Sequence, residues 1–174
     1  MRHFITLLAL GLSLNAEILL PINFTTDFQQ TITNDKGKVI TYEGNVFFKN
    51  VNQSLFKWAY TAPTQKEVCT NGVQLIVVDH DLEQVSTYLM DDGINLEEIL
   101  KLAKPISMTD YQATYRDIEY LITIDSKKQL KKIVYVDDLD NKVKIIFKNM
   151  NYNAMVNIRD LECNAPQTYD IIKG

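Results

Sequence analysis

Gly44-Asn45-Val46-Phe47-Phe48-Lys49, then Leu55-Phe56-Lys57-Trp58-Ala59-Tyr60, Pro63, Asn71-Gly72, Val73 to Val78 and Asp81-Leu82-Glu83-Gln84-Val85 make up the stretch on which the fold turns. Large apolar side chains recur at every second position, with turn chemistry between the runs. Alternation of that kind describes a meander of antiparallel strands with one apolar face. Such a face is either an ordinary core or a surface for an apolar ligand.

Working outward, the same period runs upstream. Phe24, Phe28 and Ile32 fall on one face of a first strand, and Asn34-Asp35-Lys36-Gly37 reads as a hairpin loop. The returning strand groups Ile40, Tyr42, Gly44, Val46 and Phe48. A third places Phe56, Trp58 and Tyr60 together, with Lys57 and Ala59 opposite. Glu67 to Thr70 and Val73 to Asp79 flank the Asn71-Gly72 turn, and Gln84 to Met90 follows. Then the period changes. Asn95 is an N-cap with Glu98 three residues on, and Leu96, Ile99, Leu100 and Ala103 share one stripe of a helix of about ten residues. Pro105 stops it.

Downstream the meander resumes with Tyr111 to Tyr115, Glu119 to Ile124, Leu130 to Val136 and Lys142 to Lys148. Leu161-Glu162-Cys163 before Pro166 reads as a closing edge strand. About ten strands must curl or close to bury one face. The fold class expected is mainly β with a few helices.

At its start the chain carries Arg2 and His3, an apolar run from Phe4 to Leu14, and Asn15-Ala16 before Glu17. These features read as a signal peptide over 1–16, and they leave a single domain over 17–174. No Cys follows the apolar run, so no lipid anchor is expected on the exported chain. Glu17 to Asn23, broken by Pro21, has room for a turn or two of helix. The net charge of −4 excludes nucleic acid as a natural partner, because phosphate binding needs clustered Lys and Arg. Cys69 and Cys163 either form one disulfide, permitted in an oxidising compartment, or stay as two buried thiols.

Catalytic chemistry is sparse. His80 sits in the Asp79-His80-Asp81 turn without a second His, and Asp137-Asp138-Leu139-Asp140-Asn141 lacks the Gly and distal Glu of a calcium loop. Neither a phosphate loop nor a nucleophile elbow is present. The residues predict no enzyme, no metal and no cofactor. Composition and pattern alone leave a filled barrel and a carrier both open.

The order of the motifs goes further. Phe24-Thr-Thr-Asp-Phe28-Gln29-Gln30, the Gly44 strand, Leu55-Phe56-Lys57-Trp58, Pro63, Asn71-Gly72 and Asp81-Leu82-Glu83-Gln84-Val85 come first. Val136-Asp137-Asp138, Ile145-Ile146-Phe147-Lys148-Asn149 and Pro166 follow. In this order they resemble the LolA family of periplasmic outer-membrane lipoprotein carriers. The resemblance implies an incomplete antiparallel β-barrel under a helical lid, a monomer in the periplasm. Its partners would be acylated outer-membrane lipoproteins, an inner-membrane ABC complex that releases them and an outer-membrane receptor. The receptor of that system is itself a lipoprotein of similar fold, so the missing lipobox Cys favours the soluble carrier. A periplasmic binder of another lipid on the same half-barrel is the alternative.

On this reading Phe24, Phe28, Tyr42, Val46, Phe56, Trp58 and Ile76 line the acyl-chain cavity, and Leu96, Ile99, Leu100 and Ala103 face it from the lid. The family commonly has an Arg-Pro ahead of the Leu-Phe-x-Trp run, where the Arg helps to hold the lid. Here Lys49-Asn50-Val51-Asn52-Gln53-Ser54 stands instead. The latch must therefore differ, with Lys49 as the candidate. The family's longer opening amphipathic helix is also missing, which implies a smaller lid.

Overall fold

The computed structural model describes residues 18, 20–50, 52–70, 73–89 and 95–173. The expected signal peptide, Asn71-Gly72 and the end of the sixth strand at Met90 lie outside them. Among the described residues twelve strands form one sheet. In chain order they are β1 (Asn23–Thr33), β2 (Val39–Asn50), β3 (Ser54–Ala62), β4 (Lys66–Thr70), β5 (Gln74–Asp79) and β6 (Gln84–Leu89). After helix α1 (Leu96–Leu102) come β7 (Lys104–Pro105), β8 (Asp110–Tyr115), β9 (Ile118–Ile124), β10 (Leu130–Val136), β11 (Lys142–Asn151) and β12 (Asp170–Lys173).

Spatially the order is β12-β6-β5-β4-β3-β2-β1-β11-β10-β9-β8-β7. Two antiparallel meanders are joined where β1 pairs with β11, Phe28 opposite Phe147. Only β12 runs parallel to its neighbour, β6. Side chains of β5 and β9 meet around one cavity although seven strand spacings separate them. Laid flat, those strands would be roughly 30 Å apart, so the sheet must curl. Bulges at Thr25/Asp27, Glu43/Gly44 and Leu130/Lys132 help it to bend. The result is an open, curled sheet whose end strands β12 and β7 are not paired with each other.

Local chemistry explains the turns. Asn34 Oδ1 accepts from the Lys36 and Lys38 amides at 3.1 and 2.8 Å, and Gly37 takes φ +77°. Asn95 caps α1 by accepting from the Glu98 amide at 3.2 Å. Glu97 and Glu98 in the first turn and Lys101 in the last complement the helix dipole. The helix is seven residues long rather than about ten, because Ala103 is already extended at φ −67°, ψ 127°. Lys104 precedes Pro105, which disfavours helical backbone just beyond. Glu17 to Asn23 has room for a turn or two of helix. Among its described residues there is none; Ile18 is buried in the core and Asn23 opens β1.

The apolar face is concave. Phe24, Phe28, Val46, Phe48, Tyr120, Ile122, Ile133, Val143, Ile145 and Phe147 pack there with Ile99 and Leu100 of α1. A second, smaller apolar layer lies on the convex side. Val78, Cys69, Val156 and Leu161 are buried outside that main cluster. Val156 and Leu161 come from the segment after β11, which crosses the back of the sheet over Cys69 and Val78 with a short 3-10 turn at Ile158–Leu161. The Lys57 ammonium donates to the Glu162 carbonyl at 3.0 Å, and the Asn164 amide to the Glu67 carboxylate at 2.7 Å. Cys163 is disulfide-bonded to Cys69, with the Cα atoms 5.8 Å apart.

This strap corrects the expectation of an edge strand at Leu161-Glu162-Cys163. Leu161 ends the 3-10 turn, the Glu162 carbonyl faces Lys57 of β3 and Cys163 is bonded to Cys69 of β4, and none of the three is in a strand. The edge is β12, further along the chain. Among the described residues no helix is long and apolar enough to cross a membrane.

Candidate functional site

Aromatic side chains at alternate positions of β1 to β3 build the floor of the concave face. Phe24 stacks on Phe48 with ring centroids 4.9 Å apart, and Phe28 meets Trp58 at 4.9 Å and Tyr60 at 5.0 Å, both edge-on. Gly44 is what lets the Phe28 ring lie against β2. A Cβ there would fall 2.9 Å from Phe28 Cε1 and 2.0 Å from the Ala59 carbonyl oxygen.

Above the floor is a half-enclosed cavity of about 240 Å³. Of the residues expected to line it, Phe24, Val46, Phe56, Trp58, Leu96 and Ile99 do so. Phe28 lies one layer deeper, beneath Trp58 and Tyr60. Leu100 and Ala103 pack in the core cluster from the helix, and Tyr42 stands behind Tyr60, ring centroids 5.8 Å apart.

Ile76 is misplaced in the sequence reading. Its register partner is Cys69, which is disulfide-bonded to Cys163 of the strap, so it belongs to the convex layer. Leu75 and Val68 line the cavity instead. The reason is local: Leu75, Ile76, Val77 and Val78 are all apolar, so alternation in β5 assigns no face. Lys49 is also misplaced as a latch. Its ammonium donates to the Val156 carbonyl at 2.6 Å, holding the strap rather than the helix. The contact from the cavity wall to α1 comes from Ser54, whose hydroxyl donates to the Glu97 carboxylate.

Also missed were Phe48, Tyr60, Tyr120, Ile133, Tyr135 and Ile145. Their alternation within β2, β3 and β9 to β11 was visible in the sequence. Burial has pushed the Tyr60 hydroxyl up to about 12, helped by neighbouring Tyr42. Burial likewise drives Tyr135 far up, with Tyr120, Tyr60 and Asp137 adding to it. Tyr120 is raised by burial first, then by Tyr115 and Asp138, against the opposing charge of Arg116. These phenols are neutral donors at physiological pH. His80 is occupied structurally, with Nδ1 3.1 Å from the Tyr169 hydroxyl.

An open antiparallel sheet curled around an apolar, partly covered cavity defines a class of protein that holds apolar ligands. Within that class the chain belongs to the LolA family. The model of that family, described as outer membrane lipoprotein carrier protein LolA, matches residues 22–159. An outer-membrane lipoprotein carrier protein of Campylobacter jejuni is 34% identical over 150 residues, 86% of each chain. One from Wolinella succinogenes is 33% identical over 134 residues, 77% of each. The crystal structure of an uncharacterized conserved protein from Thermus thermophilus shares the fold. Its TM-score is 0.57 at 10% identity, over 89% of this chain and 92% of that one.

Proposed function

We propose that this protein is a periplasmic chaperone that shelters the acyl chains of lipoproteins inside the curled sheet. On this reading it takes them from an inner-membrane ABC releasing complex and delivers them to an outer-membrane receptor. The observation that carries the reading is the aromatic cavity with α1 across it. Each CH₂ withdrawn from water contributes ~0.8 kcal/mol, so one long chain supplies on the order of 10 kcal/mol. A cargo held that strongly leaves by direct transfer to a partner, not by escape through water. The carrier itself then needs no nucleotide site. We read 17–174 as one carrier unit, exported through the signal peptide at 1–16 and acting as a monomer.

Cavity size supports a moving role for α1. At about 240 Å³ the space is smaller than the several hundred Å³ of a typical ligand pocket. Acyl chains need more room, and the short helix is the element best placed to yield it. The Ser54–Glu97 hydrogen bond ties it to the cavity wall. We therefore read α1 as a lid, shut in this structure. A photo-crosslinking residue at Phe56 or Ile99 is expected to capture acylated lipoproteins in cells. Capture of nothing above background would overturn the proposal.

A further inference from the structure

The cavity is not apolar throughout. Phe24 and Gln30 both line it and sit six positions apart on β1, roughly 20 Å along the strand. Near Gln30 the lining changes character. The Tyr60 hydroxyl donates to Gln30 Oε1 at 3.2 Å, and Tyr120 and Tyr135 lie beside this pair, ring centroids 5.0 Å apart. Tyr120 is only 2% exposed and Tyr135 8%, and both line the cavity. Among the described residues neither of their hydroxyls has a hydrogen-bond partner, and neither counts among the fully buried polar atoms left without one, so both keep some exposure. A cavity made for hydrocarbon alone would be better served by Phe at both places, since a hydroxyl covered by a bound chain gives up its hydration for nothing.

We propose that Tyr120 and Tyr135 form a polar subsite that donates hydrogen bonds to the carbonyl oxygens joining acyl chains to their head group. The ligand class is an acyl ester or amide, its chains running toward Phe24 and its linkage held at the tyrosine end. This rests on the reading of the cavity as an acyl-chain site. Their neutrality makes both phenols donors, and a carbonyl is an acceptor only, so the chemistries match. The subsite would set how far a chain enters and would favour acylated heads over plain hydrocarbon.

The test compares monopalmitoylglycerol with hexadecane, binding being followed by fluorescence of Trp58, the single tryptophan of the chain. The exported protein is used as wild type, as Tyr120→Phe, as Tyr135→Phe and as the double variant. Phe keeps the ring packing, and thermal melting checks the fold. The double variant is expected to weaken monopalmitoylglycerol about tenfold, each single variant about threefold, with hexadecane unchanged. Equal losses for both ligands would make the effect one of packing and overturn the subsite. So would no loss for either, because the hydroxyls would then merely be hydrated. A wild type that binds neither probe would instead bring down the acyl-chain reading itself.

Discussion

The Ser54 hydroxyl donates to one oxygen of the Glu97 carboxylate, while Lys101 approaches the other at 3.0 Å. Ser54 opens β3 and Glu97 sits in the first turn of α1, so one hydrogen bond joins the cavity wall to the helix. The ammonium one turn along holds the carboxylate in place for it. Removing the hydroxyl leaves the helix held by the burial of Ile99 and Leu100. Ser54→Ala is expected to speed release of a bound hydrophobic dye about three- to tenfold, as loss of one hydrogen bond to a charged group would. Glu97→Gln, which keeps an acceptor, should do less. Stopped-flow dilution of dye-loaded protein measures both, and identical rates in all three proteins would show that the apolar face alone holds α1.

Gly44 is the position where the sheet tolerates no side chain. Its Cβ would overlap the Ala59 carbonyl at 2.0 Å, and backbone cannot step aside as a flexible side chain can. The Phe28 ring closes the other side at 2.9 Å. Gly44→Ala is therefore expected to cost at least about 3 kcal/mol or to stop folding outright. Urea denaturation monitored at Trp58 reads this directly. A loss below about 1 kcal/mol would mean that β2 and β3 separate easily at this bulge.

Reading strands from alternation worked where one face meets water, as in β1 to β3 and β9 to β11. It failed in β5, where the strap makes the convex face apolar as well and Ile76 is indistinguishable from Leu75. The strap itself left no local pattern, because its contacts from Lys49, Lys57 and Cys69 reach about a hundred residues along the chain. The side of the cavity built by the second meander was missed for a similar reason. Tyr120, Ile133, Tyr135 and Ile145 reach the first meander only through the pairing of β1 with β11, and alternation carries no information about which strands become neighbours. The Asn95 cap and the Asn34 turn were legible because a few consecutive residues settle each.

Cys69 and Cys163 close a loop of 94 residues, and the chain-entropy model assigns such a cross-link about 4–5 kcal/mol. Disulfides typically contribute less than that bound, so Cys69→Ala with Cys163→Ala is expected to lower stability by about 2–4 kcal/mol. The strap has other anchors. Lys57 pairs with Glu67 at 2.9 Å and both side chains are largely buried. Adding Lys57→Ala to the cysteine variant strands the Glu67 charge, and a further loss of about 3 kcal/mol is expected. Protease sensitivity after Arg159 should rise in parallel with each step. If the cysteine pair can be removed without loss of stability or protection, the strap is held by the burial of its own Val156 and Leu161.

The buried phenols make stability depend on alkaline pH with a definite sign. Tyr60 titrates at about 12 when folded and near 10.0 when exposed, because burial penalises the phenolate and Tyr42 adds to the penalty. Between those values the unfolded chain has released a proton that the folded chain still holds, so the unfolded state gains. The stabilisation is complete below about pH 10 and is lost as pH rises toward 12, for Tyr60 by on the order of 2 kcal/mol. Tyr120 and Tyr135 are raised for the same first reason and steepen the fall. Tyr60→Phe takes one titrating group away and is expected to flatten the decline measured by urea denaturation at successive alkaline pH values. An unchanged slope would mean that the Tyr60 hydroxyl ionises freely, and that this end of the cavity is far wetter than its packing against Phe28, Gln30 and Tyr42 implies.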